Sequence, residues 1–160
     1  MRVRASRDRE WEVSASGVVL LPYAPSSVAD ARWRLTADLR ESGMLAAAVG
    51  DAALVMSELL SNAIRHARPL PGRMIRVAWT LSNGSLQVSV SDGGGPTRPR
   101  AGHPSLSSLG GRGLAIVDYL CSSWGIRSCD GGMTVWAELP APGGGPAGPR
   151  ADNGASPVEA

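Results

Sequence analysis

Glu58 and Asn62 are the residues of this 160-residue chain whose types and spacing most directly suggest chemistry. They stand four apart in the stretch Glu58-Leu59-Leu60-Ser61-Asn62-Ala63-Ile64-Arg65-His66-Ala67. On a helix they share a face, with Cβ atoms roughly 5–6 Å apart. Their surroundings are apolar. Burying a carboxylate and a carboxamide there without partners would cost about 1–3 kcal/mol each, and more for the charge. A nucleotide with its Mg²⁺ would satisfy both. A carboxamide oxygen is a hard ligand suited to Mg²⁺, and a carboxylate beside the metal can accept a proton from an attacking hydroxyl. The plain alternative is a solvated Glu58 and an Asn62 satisfied on its own helix.

Two glycine-rich stretches follow. Asp92 ends an apolar alternating run and leads into Gly93-Gly94-Gly95-Pro96. Glycines there let the backbone approach a ligand closely and adopt positive φ. The Asp92 carboxylate can accept a hydrogen bond from an exocyclic amine such as that of adenine, although Asp-Gly is also an ordinary turn signal. Further on, Gly110-Gly111-Arg112-Gly113-Leu114 opens a helical stretch. Free N–H groups and the helix dipole make such a start a phosphate site, and a linker running into a helix has the same appearance. Together the order is metal and base, adenine, loop, phosphates.

The basic residues are all Arg, and the chain contains no Lys. That excludes a P-loop, which needs its Lys at the phosphates. It also excludes the protein-kinase fold with its strand Lys. The second glycine stretch does not follow the first strand of a βαβ unit, which argues against a dinucleotide fold. A net charge of +2 implies no broad nucleic-acid field. Cys121 and Cys129 form neither CxxC nor zinc spacing and read as ordinary thiols. Residues 1–10 are charged, without the apolar core of a signal peptide, and no apolar run looks long enough for a membrane span. The expected location is cytoplasmic.

The elements that must position these residues follow from periodicity. Trp11 to Leu21 alternates as a strand, ended by Pro22. Pro25-Ser26-Ser27 starts a helix running to about Glu41, with Val28, Ala31, Leu35 and Leu39 on its buried stripe. A second helix is expected from about Leu45 to Ala67, burying Ala47, Leu54, Val55, Leu59 and Ala63, before Pro69 and Pro71 break it. Ile75, Val77, Trp79 and Leu81, then Leu86, Val88 and Val90, predict a hairpin turning at Ser82-Asn83-Gly84. A short helix over Leu114–Leu120 and a last hairpin, Ser123–Ser128 and Met133–Leu139, complete the order β, α, α, ββ, α, ββ. This predicts an α/β (α+β) two-layer sandwich, with a mixed, mostly antiparallel sheet and about three helices on one face. The domain is expected at 11–139, after a flexible N-terminus at 1–10. Residues 140–160 are expected to be a disordered tail whose removal, from Pro140 onward, leaves stability unchanged.

On these motifs the chain resembles the GHKL ATPase superfamily, and more closely its stand-alone anti-sigma factor serine/threonine kinases. Ser57 to Ala67 is similar to that family's N box, Asp92-Gly93-Gly94-Gly95 to its first glycine box, and Gly111 to Val117 to its second. The resemblance covers about Trp11 to Leu139. It implies that Glu58 is the catalytic base and that Asn62 coordinates Mg²⁺. It implies that Asp92 and Gly94 belong to the adenine box, and that Gly111, Arg112, Gly113 and Leu114 wrap the phosphates of ATP. The segment Gly95–Gly110, with His103, would be a lid, and His66 a helix-end residue. One departure stands out: Pro96 occupies the place of the last glycine in Asp-x-Gly-x-Gly. Pro fixes φ, so the hinge differs from the family pattern and nucleotide affinity or turnover is expected to be reduced.

The resemblance implies two protein partners, a sigma factor to sequester and an anti-anti-sigma protein to phosphorylate. A non-catalytic binding module and a simple ATPase remain alternatives. The sequence leaves open whether the chain is a monomer or a homodimer.

Overall fold

A computed structural model describes residues 13–95, 112–129 and 131–143. The elements are β1 (Val13–Pro22), α1 (Ser27–Glu41), α2 (Ala46–His66), β2 (Met74–Ser82), β3 (Ser85–Asp92), α3 (Arg112–Leu120), β4 (Ser123–Cys129) and β5 (Gly132–Pro140). The expected order and two-layer class are found. The strands form one five-stranded sheet in the order β1-β2-β3-β5-β4. A mixed sheet was expected, but every strand pairing among the described residues is antiparallel. The excursion through α1 and α2 returns the chain antiparallel to β1, whereas the one through α3 returns β4 in the direction of β3, and β5 lies between those two strands, so no parallel pair forms.

The β2–β3 hairpin is built as its alternation dictates. Ile75, Val77, Trp79, Leu81, Leu86, Val88 and Val90 are all buried. Asn83 and Gly84 both have positive φ, 51° and 74°, the primed-turn geometry that matches strand twist. Trp79 needs room opposite, and Gly17 supplies it. A Cβ on Gly17 would lie 2.2 Å from the indole. The indole Nε1–H in turn donates to Asp38 Oδ2 at 2.6 Å, tying α1 to the sheet.

The helices bury Ala31, Leu35 and Leu39 of α1 and nine residues of α2. The α1 stripe is as expected, with Val28 partly buried at its margin. The α2 stripe is met in part: Val55, Leu59 and Ala63 are buried as expected, but Ala47 is exposed and Leu54 is 40 % exposed, while Ala48, Val49, Ala52 and Met56 are inside. The helix is apolar over more than half its circumference, so apolarity alone does not fix its rotation. It is also the one described helix long and apolar enough to cross a membrane by length and composition, contrary to the expectation that no run was. Here its apolar side is spent on the core, between α1, α3 and the sheet.

Helix α1 ends in a Schellman motif. Gly43 takes φ 83°, its N–H donates to the Arg40 carbonyl, and the Met44 N–H donates to the Leu39 carbonyl. Helix α2 ends differently, and that difference shapes the site.

The tail reading fails over its first four residues. Pro140 completes β5, Ala141 is fully buried, and its N–H donates to the Gly84 carbonyl at 2.8 Å. The Pro142 carbonyl accepts from Leu45 N–H at 3.1 Å, and Gly143 lies against Gly43 and Leu45. Composition suggests a loose end, but these backbone bonds hold residues 140–143 in the domain. Truncation after Gly143 is therefore expected to keep the melting temperature. Truncation after Leu139 removes two backbone hydrogen bonds worth about 1 kcal/mol each, and should lower it by roughly 5–10 °C. Thermal unfolding of the two truncated chains checks this.

Candidate functional site

Asp92 closes β3 and is one of two buried polar side chains among the described residues, at 4 % exposure. Its Oδ1 accepts the Gly94 N–H at 2.7 Å. Burial pushes its carboxyl above the ordinary value of 3.8, and the Gly94 hydrogen bond opposes this only in part. Among the described residues no other hydrogen bond reaches this carboxylate, so it retains accepting capacity for an amine. The glycines serve the loop directly. Gly94 sits at φ 90°, and a Cβ on Gly93 would meet the Pro69 carbonyl oxygen at 2.2 Å.

That close approach joins the Asp92 loop to the end of α2. The Gly93 N–H donates to the Arg68 carbonyl at 2.7 Å, and the Arg68 N–H donates to the Gly94 carbonyl at 2.7 Å. Two segments read separately in the sequence are thus paired, backbone to backbone, six residues beyond Asn62 and just past the end of α2. Glu58 and Asn62 lie on one face of α2, both half-buried, and neither side chain has a hydrogen-bond partner among the described residues. The exposed Leu54 lies one turn before Glu58 on that face. His66 is the exposed last residue of the helix, as expected.

Helix α3 begins at Arg112, two residues before its expected start. Gly113 and Leu114 therefore lie in its first turn, where backbone N–H groups have no intrahelical acceptor. The Leu114 side chain is core, 1 % exposed, and packs with Val117. Only its backbone can face a phosphate, which corrects any reading of Leu114 as a contacting side chain. Gly111, Pro96 and the proposed lid with His103 lie outside the described residues. So does the side chain of Arg112.

Cys121 is half-buried, with its thiol pushed up to about 12 by burial and by Asp118, which leaves it unreactive at neutral pH. Among the described residues no group of three or more His, Cys, Asp or Glu could hold a metal. A carboxamide and a carboxylate on one helix face do fit an ion that keeps its waters and is shared with a ligand's phosphates, which is how Mg²⁺ binds.

Sequence reasoning missed Tyr23. Its hydroxyl lies 2.7 Å from the Ile64 carbonyl and 3.3 Å from that of Ala63, and it also contacts the Ala67 carbonyl. The signal was an absence: α2 ends without a glycine.

An ATP-type nucleotide site is what comparison with known proteins supports. Residues 21–139 match the family model described as histidine kinase-like ATPase domain. The chain belongs to that family, whose members bind ATP. Among solved structures, the RsbU and RsbW domains of Rv1364c from Mycobacterium tuberculosis share the fold, with a TM-score of 0.61 at 23% identity. The match covers 79% of this chain and 32% of that one, so this chain spans about a third of that protein's length. No curated protein matches the sequence.

The raised Asp92 carboxyl has a consequence for stability. The folded state holds that proton more tightly than the unfolded state, so ionisation costs the fold. Stability is lost as the pH rises from 3.8 through the raised value. Asp92→Asn keeps an oxygen for the Gly94 N–H and removes that cost. The variant is expected to melt at or above the wild type at pH 7, with the difference shrinking toward pH 3. Melting curves across that range check the sign.

Proposed function

We propose that this chain is an ATP-dependent protein serine/threonine kinase of the anti-sigma type. It would sequester a sigma factor and phosphorylate an anti-anti-sigma protein. The observation that carries the nucleotide half of this reading is the pairing of Arg68 with Gly93 and Gly94. It supports reading the Glu58–Asn62 face and the Asp92 loop as one site. Asp92 accepts the adenine amine. The first-turn N–H groups of α3 face the phosphates, as helix starts do. Asn62 offers its carboxamide oxygen toward a magnesium ion, which when bound neutralises charge on the phosphates. Glu58, one turn earlier on the same face, takes the proton from the acceptor's Ser or Thr hydroxyl as its oxygen attacks the γ-phosphorus. The bond to the ADP oxygen breaks, leaving ADP and the phosphorylated acceptor.

The protein-partner half rests on the motif resemblance and on one surface. Strand β1 is an edge strand without a charged residue, and Val18 and Leu20 on it are 61% and 58% exposed. Trp33 of α1 is 71% exposed and borders a cavity of about 330 Å³ shared with β1. An uncharged edge beside exposed apolar side chains favours pairing with another chain, whether a partner or a second copy. A second reading, a binding module without turnover, is favoured by Pro96 in the first glycine box.

Three substitutions separate the roles. Asp92→Asn is expected to weaken ADP binding ten- to a hundred-fold, as loss of a charged hydrogen bond worth roughly 1.5–3 kcal/mol should. Calorimetric titration reads it, and unchanged affinity would remove Asp92 from the adenine site. Glu58→Ala is expected to keep Mg²⁺-ATP binding and lose transfer by about 10²–10⁴. Asn62→Ala is expected to lose both. Label transfer from ATP to candidate acceptor proteins, beside titration of each variant, distinguishes them. Wild-type transfer by Glu58→Ala would show that Glu58 is not the base. A wild type that binds its regulator but transfers nothing would leave the binding module.

A further inference from the structure

We propose that Tyr23 is a positioning residue for the nucleotide site, its hydroxyl holding the end of α2 open so that Arg68 can pair with the Asp92 loop. This rests on the reading of Asp92 and Asn62 as nucleotide ligands.

The hydrogen bonds at the end of α2 carry this inference. In a continuing helix the Ala67 N–H bonds the Ala63 carbonyl, and the Arg68 N–H would bond the Ile64 carbonyl. The first bond is present at 2.9 Å. The second is not, because the Arg68 N–H is given to the Gly94 carbonyl at 2.7 Å. Pro69 has no N–H to offer the carbonyl of Arg65. The Ile64 carbonyl is left without its helical donor, and the Tyr23 hydroxyl sits 2.7 Å from it. The phenol has one proton and lies within reach of three carbonyls. It takes the place in the helix that the Arg68 amide vacates.

The usual alternative is found elsewhere in this chain. Helix α1 stops on Gly43 in the left-handed region and satisfies its carbonyls with its own following amides. Such a stop folds the chain back over the helix. Helix α2 instead leaves extended, with Ala67 at φ −102° and ψ 172°, which carries Arg68 across to Gly93 and Gly94. An extended exit needs an outside donor for the last carbonyls. Tyr23 is fixed to serve: it follows Pro22 at the end of β1, and its N–H donates to the Arg73 carbonyl at 2.9 Å. The Pro22 carbonyl accepts the Ser27 hydroxyl at 2.5 Å, holding the same stub from the other side. Without the Tyr23 hydroxyl, Ile64 and Gly94 compete for one Arg68 amide. Each turn toward Ile64 releases the Asp92 loop from the turn that carries Asn62.

The test is Tyr23→Phe, which removes one oxygen and keeps the ring. A cap that serves stability alone would lower the melting temperature and leave nucleotide selectivity untouched in the folded protein. A positioning role moves selectivity, because the loosened loop is the one that reads the base. The variant is expected to bind ADP about tenfold more weakly, and to lose most of the preference for ADP over GDP, measured well below its melting temperature. The Arg68 amide should also exchange hydrogen faster. Wild-type affinity and preference in the variant would overturn the inference while leaving the nucleotide reading intact. A wild type with no preference for ADP would overturn both. A second measurement does not depend on the variant folding. The chain has two tyrosines, Tyr23 and the 88% exposed Tyr119, so 3-fluorotyrosine gives two fluorine resonances. The Tyr23 resonance is expected to move on adding ADP and much less with GDP. A resonance that ignores ADP at saturation contradicts the proposal.

Discussion

A single backbone proton governs the arrangement. The Arg68 N–H can complete α2 or bridge to Gly94, and it bridges. Much of the site follows from that choice. The helix exits extended, the Ile64 carbonyl looks outward for a donor, and Gly93 must lack a side chain because the Pro69 carbonyl comes so near. The sheet supplies the fixed frame for this pairing. Asp92 is the last residue of β3, registered opposite Met133 of β5, so the loop begins from a strand held on both sides.

The site departs from the rules the rest of the molecule obeys. The core is almost wholly apolar, yet it ends at a buried carboxylate lifted above its ordinary range by that burial. A half-buried Glu and Asn share a helix face one turn apart with no partner among the described residues. Burial of the Asp92 carboxylate costs stability, whereas the polar atoms of Glu58 and Asn62 are not sealed from solvent. A buried charge of this kind persists where a ligand supplies what the protein withholds. The histidine kinase-like ATPase family to which the chain belongs is one built around such a ligand.

How far this was legible in the sequence differs from element to element. The β2–β3 hairpin could be read residue by residue, because period-two alternation and an Asn-Gly turn both point to one register. The end of α2 was legible from Pro69. Its rotation was not: Ala47 and Leu54 are as apolar as the residues that are buried, and only packing against α1, α3 and the sheet chooses between them. Glu58, Asn62 and Asp92 were visible through their chemistry and order, but the Arg68–Gly94 bond joining their segments was not. Backbone bonds carry no side-chain signature. The same blindness hid residues 140–143, held by the amide of Ala141 and the carbonyl of Pro142, and Tyr23, whose hydroxyl meets the Ile64 carbonyl 41 residues away.

The end of α2 and the Asp92 loop are proposed to form one adenine-nucleotide site. Amide resonances followed by heteronuclear NMR during titration with Mg²⁺ and a non-hydrolysable ATP analogue test it most directly. The amides of Arg68, Gly93, Gly94 and the first turn of α3 are expected to shift together with one affinity, and a GTP analogue to move them far less. Shifts confined to β1 and α1, or equal responses to both analogues, would contradict it.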